Sequence, residues 1–111
     1  MPQPDSGEHI TTVLDYPSRD GHVNAIRVDY APGGSTPGTH RQPAGAYVYV
    51  MQGSVLFGIE NREPVLLKAG ESFYEPPGAL HSVSRNASED LPASLIAFFV
   101  LADGESPTVY D

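Results

Sequence analysis

The chain has 111 residues, 14 of them acidic and 6 basic, for a formal net charge of −8. A surface this acidic repels phosphate backbones and anionic lipid, so neither nucleic acid nor a membrane is an expected partner. The sequence has no cysteine, which excludes a disulfide framework, a thiolate metal site and a thiol nucleophile.

At this length one domain is expected, over residues 10–111, preceded by a flexible arm at 1–9. The N-terminal MPQPDSGEH is polar and lacks a basic-then-apolar leader pattern, and no apolar run approaches transmembrane length, so a cytoplasmic location is expected. In chain order, residues 10–14 form a short candidate strand. Residues 22–30 alternate, with Ile26, Val28 and Tyr30 on one face and Arg27 and Asp29 on the other. Ala31-Pro32-Gly33-Gly34 breaks that strand. Residues 46–51 are β-branched and aromatic, and after a turn at Gln52-Gly53 residues 54–60 return as a hairpin partner. Shorter strands follow at 64–68 and 72–75, then Pro76-Pro77-Gly78 stops any regular element. Residues 81–85 and 93–101 are the last two strands, and the tail after Asp103 reads as extended. No stretch keeps helical periodicity, and the 11 Gly and 11 Pro are spread along the chain. Short strands with turns at roughly ten-residue spacing imply an antiparallel sandwich or barrel.

Two segments deliver a histidine each. Residues 34–53, GSTPGTHRQPAGAYVYVMQG, contain His40, and residues 70–86, GESFYEPPGALHSVSRN, contain His81. The first fits Gly34-x5-His40-x-Gln42-x3-Ala46-x6-Gly53 and the second Gly70-x5-Pro76-x-Gly78-x2-His81. The chain thus resembles the cupin family, in the small single-domain bacterial form, whose motifs are G-x5-HxH-x3,4-E-x6-G and G-x5-P-x-G-x2-H-x3-N. The resemblance spans about half the chain. It implies an all-β, double-stranded β-helix or jelly-roll (RmlC-like) barrel with His40, Gln42 and His81 at metal-ligand positions inside. Gln42 stands where the family has its second histidine, and Ala46 where it has its glutamate. An ion held there would be a divalent Fe, Mn, Zn or Ni, since imidazole suits all four and an amide oxygen is the weaker donor. The competing expectation is a metal-free polar site, with the two histidines bonded to each other, to water or to a ligand.

His40 and Gln42 are two apart and so share a face in an extended strand, which sends Arg41 outward. Val48, Val50, Phe57, Val83 and Phe99 are the expected pocket wall. Tyr47 and Tyr49 fall on the opposite, outer face. Residues 98–101 are apolar on both faces, which points to an interface and a homodimer formed sheet to sheet. His9 and His22 are expected on the surface, and so is Glu75 beside its turn, a base at the barrel mouth being the alternative. Asn86-Ala87-Ser88 matches a glycosylation sequon by chance. No nucleophile elbow, phosphate loop or dinucleotide fingerprint is present, and no catalytic residue is assigned. Two functions follow from the resemblance. One is a metal-dependent oxygenase (dioxygenase-like) or isomerase acting on a small organic molecule. The other is a non-catalytic binding module for a sugar or aromatic ligand, with no metal.

Overall fold

The computed structural model describes residues 6–60 and 62–110. Among them the regular structure is ten strands and no helix: β1 Glu8–Ser18, β2 Gly21–Tyr30, β3 His40–Arg41, β4 Ala46–Gln52, β5 Ser54–Ile59, β6 Val65–Lys68, β7 Ser72–Glu75, β8 Leu80–Asn86, β9 Ala93–Ala102 and β10 Val109–Tyr110. They form two five-stranded antiparallel sheets, ordered β1-β2-β9-β4-β7 and β10-β3-β8-β5-β6. This is the jelly-roll architecture that the resemblance implies, and it satisfies the antiparallel sandwich or barrel expected from the strand spacing.

The alternating patterns decide which side chains meet between the sheets. Val28 and Tyr30 of β2, Val48 and Val50 of β4, and Leu95, Ala97 and Phe99 of β9 face Val55 and Phe57 of β5 and Leu67 of β6 in one core. Each fully buried Val, Leu or Phe contributes about 1.5–3 kcal/mol relative to exposure. The other face of the first sheet is left open. Tyr47 is 52% exposed, Tyr49 45% and Tyr74 50%, and the Tyr47 and Tyr74 rings lie 5.1 Å apart. Phe98 sits opposite Tyr47 across the β4–β9 pairing, and Val100 is exposed further along the same face.

Two expectations about the chain ends change. The arm expected over residues 1–9 is docked from Ser6 onward: Glu8 pairs with Tyr30 and His9 with Asp29. Ser35 N donates to Ser6 O at 2.8 Å and Ala31 N to Gly7 O at 2.8 Å. The remainder of that arm, residues 1–5, lies outside the described residues. The first strand is also longer than residues 10–14. It is an edge strand, mostly exposed, with a bulge between Thr12 and Leu14, and an edge tolerates its Pro17 because no neighbour needs the missing N–H. At the other end, part of the extended tail becomes β10, which pairs with β3.

Candidate functional site

The two histidines are brought together by backbone pairing. His40 of β3 lies directly opposite His81 of β8, and β10 flanks β3 on its other side, with Tyr110 opposite His40. Beyond β3, the Gln42 carbonyl accepts from Gly45 N at 2.9 Å and from Gly78 N at 3.1 Å. This one oxygen ties the turn after β3 to the Pro-Pro-Gly turn before β8. Gly45 is required there: its φ is +78°, and a Cβ would stand 2.6 Å from the Glu75 carbonyl oxygen. His40 and Gln42 are buried while Arg41 between them is exposed, its Nη1 donating to Gly78 O at 2.9 Å.

His40 Nε2 and His81 Nδ1 are 2.8 Å apart, and His81 Nε2 lies 2.9 Å from Val83 O. A carbonyl only accepts, so His81 carries its hydrogen on Nε2. In its neutral form it therefore accepts at Nδ1, and His40 Nε2 donates to it. Phe57 packs on the His81 ring with centroids 4.2 Å apart. Burial lowers the pKa of both imidazoles. His81 is brought down to about 4 by burial and by the neighbouring His40, with the bond to Val83 opposing.

Glu75 is the residue that sequence reasoning misplaced. It is not on the surface: it is 0% exposed and sits directly opposite Ala46 across the β4–β7 pairing. The carboxylate absent at position 46 is thus supplied from the neighbouring strand. Glu75 Oε2 lies 3.7 Å from His81 Nδ1. The Gln42 amide, oriented with its nitrogen toward the carboxylate, donates to Glu75 Oε1 at 2.9 Å and also to Oε2. Burial pushes the Glu75 carboxyl up to about 7, because an isolated buried charge is costly. A signal for this was available. In Ser72–Glu75, period two puts Glu75 on the same face as Phe73, which packs against the core.

The cluster borders a cavity of about 70 Å³ whose lining includes His40, Gln42, Val48, Phe57 and His81. Of the five expected wall residues only Val48 and Phe57 face it. Val50 and Phe99 are buried in the core beyond it. Val83 is half-buried and off the lining because of an irregularity in the pairing of β5 with β8. Gly58 opposes Val83 but Ile59 opposes His81, so one extra residue at Ser82 reverses the alternation and turns Ser84 and Asn86 inward. The buried Asn86 amide donates to Ala31 O at 3.1 Å and to Leu91 O at 2.6 Å. His9 and His22 are exposed.

Residues 26–99 match the model of the cupin domain family. This chain belongs to the cupin family. Among curated proteins this cupin is similar to germin-like protein subfamily 2 member 1 of Arabidopsis thaliana, with 37% identity over 81 residues that cover 69% of this chain and 36% of the relative. It is similar also to nectarin-1 of Nicotiana plumbaginifolia, with 32% identity over 80% of this chain and 44% of the relative. The chain thus spans less than half the length of either relative. Among solved structures, an oxalate oxidase in complex with the substrate analogue glycolate superposes with a TM-score of 0.71 and 26% identity, over 96% of this chain and 56% of that one. A cupin-like protein from Thermotoga maritima superposes at 0.73 with 17% identity, over 94% and 75%, and supports the fold. Among the described residues no helix is long and apolar enough to cross a membrane.

The resemblance implies a metal, and the donors can be tested against it. Two imidazoles and a carboxylate are a set that divalent Fe, Mn, Zn or Ni accepts. Donors about 2.1 Å from an ion stand about 3 Å apart when adjacent, close to the 2.8 Å between His40 Nε2 and His81 Nδ1. Among the described residues no three His, Cys, Asp or Glu side chains form a ready-made metal cluster, since the facing atoms hydrogen-bond one another. The residues fit the ion by chemistry, with their mutual hydrogen bonds giving way to it.

Proposed function

We propose that this cupin is a metal-dependent enzyme of the dioxygenase or isomerase kind, acting on an organic molecule of few heavy atoms in the barrel. The observation that carries the reading is the convergence of His40, His81 and the wholly buried Glu75 beside the cavity. In this reading Glu75, rather than Gln42 as first expected, is the third ligand. When bound, a divalent ion supplies Lewis-acid polarisation of a substrate oxygen. The protein does the rest. Gln42 holds both oxygens of Glu75 and orients it, as outer partners of ligands commonly do. Phe57 fixes the His81 ring, and Val28, Val48 and Leu95 give the cavity an apolar wall beside it.

One observation favours the second reading, a metal-free binding module: the polar side chains satisfy one another in pairs, His40 with His81 and Gln42 with Glu75. Elemental analysis of protein purified without chelator or affinity metal, with thermal shifts in Fe²⁺, Mn²⁺, Zn²⁺ and Ni²⁺, separates the two. A raised melting temperature in at least one metal is expected, lost in Glu75→Ala and His81→Ala. Equal metal content in the wild type, Glu75→Ala and a His40→Ala/His81→Ala double variant would leave the binding module. The exposed tyrosine face supports a homodimer as part of the same proposal.

A further inference from the structure

A second polar group lines the same cavity. It is built from Glu8 of β1, Tyr30 at the end of β2, Thr36 in the β2–β3 connection and Ser84 of β8. Ser84 Oγ and Tyr30 OH are 2.6 Å apart, Tyr30 OH and Thr36 Oγ1 are 2.6 Å apart, and Thr36 Oγ1 donates to the Glu8 carboxylate. Each hydroxyl has one hydrogen, and a carboxylate has none to give. The Thr36 hydrogen is committed to Glu8, so the Tyr30 hydrogen must serve the Tyr30–Thr36 bond. The Ser84 hydrogen must then serve Ser84–Tyr30. The chain therefore has one direction, Ser84 to Tyr30 to Thr36 to Glu8, and turns lone pairs rather than hydrogens toward the cavity. Burial and the Glu8 charge push the Tyr30 phenol up to about 12, so its hydrogen stays in place.

The histidine side of the cavity behaves likewise. The hydrogens on His40 Nε2 and His81 Nε2 go to His81 Nδ1 and Val83 O, and one Gln42 amide hydrogen goes to the Glu75 carboxylate. Among the described residues the lining contains no Lys or Arg, and its one hydroxyl outside the hydroxyl chain is that of Thr108. A ligand that only accepts hydrogen bonds would find few hydrogens, the lone pairs of the hydroxyl chain and the Glu8 charge with no cation to offset it, which is costly in a site of this kind.

We infer that, without metal, the cavity selects a small neutral or cationic molecule that brings its own O–H or N–H hydrogens, an alcohol, amide or amine, and rejects carboxylates. This rests on the reading of the barrel cavity as the binding site. It separates this chain from the oxalate oxidase fold-mate that holds glycolate.

The test uses the full chain in chelator, with binding followed by amide chemical shifts around Tyr30 and Ser84 during titration with ethylene glycol, glycolamide and glycolate. Glycolamide and glycolate are nearly isosteric. The diol and the amide are expected to bind at least tenfold more tightly than glycolate. E8Q lets the hydroxyl chain reverse and Y30F frees the Ser84 hydrogen, so both should narrow that ratio several-fold by improving glycolate. S84A should weaken the diol without helping glycolate. Glycolate binding as well as its amide in chelator, or an unchanged ratio in both E8Q and Y30F, overturns the inference. Glycolate that binds only after Zn²⁺ is added supports it and the metal reading together. If none of the three probes binds with or without metal, the cavity is not the binding site, and the inference falls with that reading.

Discussion

The two sheets divide the work of the molecule unequally. In the first, β2 and β9 are paired without a break over ten positions, from Gly21–Ala102 to Tyr30–Ala93. They supply a wall of Val28, Leu95, Ala97 and Phe99 whose energetics are those of any apolar core. In the second, the strand that carries His40 is two residues long and the strand beside it is also two. The neighbouring β8 carries the irregularity at Ser82. Long, regular pairing provides stability that does not depend on any one polar group. The short, irregular pairing places the imidazoles, which the rigid wall then supports.

The contrast can be broken most forcefully from the first sheet. Phe99→Ala should cost about 3–5 kcal/mol in urea unfolding, the range for truncating a buried aromatic. Phe99 does not line the cavity, so the His40–His81 pairing should survive in the folded fraction. A loss below about 1 kcal/mol would mean that the wall is not where the stability lies.

The second sheet is sharpened by pH, in chelator. The Glu75 carboxyl rises from 4.5 to about 7 in the fold. Its contribution to stability is therefore complete below pH 4.5 and lost as the pH rises through 7. His81 falls from 6.5 to about 4, so its contribution is complete above pH 6.5 and lost as the pH falls through 4. Each displacement corresponds to about 3 kcal/mol, and the two oppose each other between pH 4.5 and 6.5. The wild type should be nearly flat there. Glu75→Gln should lose stability as the pH falls from 6.5, and His81→Gln as it rises from 4.5. Parallel profiles for all three proteins would show that the pair does not titrate as the burial argues.

The smallest effect on monomer stability, and the plainest on assembly, should come from the outer tyrosines. Tyr47→Ser/Tyr74→Ser is expected to stay within about 0.5 kcal/mol of the wild type on unfolding of the separated chain. In sedimentation at micromolar concentration it should convert a homodimer to a monomer. A wild type that already sediments as a monomer of 11.9 kDa ends the dimer proposal.

The histidine positions and the outward tyrosines were legible because spacing and period two fix them directly. Glu75 was not, because a glutamate before two prolines reads as a turn carboxylate, and ionisable residues are seldom buried. Its pairing with Ala46 is a fact of sheet order, which no local pattern carries. Val83 was misplaced because a strand phase counted from His81 inverts at a single added residue. The reach of β1 was underestimated because an exposed edge strand with threonines and a proline has little apolar alternation to read.

The pairing of β10 with β3 has a consequence for how the molecule opens. Two residues at each interface are all that hold the His40 strand on that side, while Thr108, just before β10, lines the cavity. Release of β10 from β3 should therefore expose the β10-facing amide of the His40 strand to solvent by a low-cost sub-global opening, while the amides of β9 are expected to exchange only with global unfolding. On that expectation, opening at the rim beside the histidines is a local event that the core does not register.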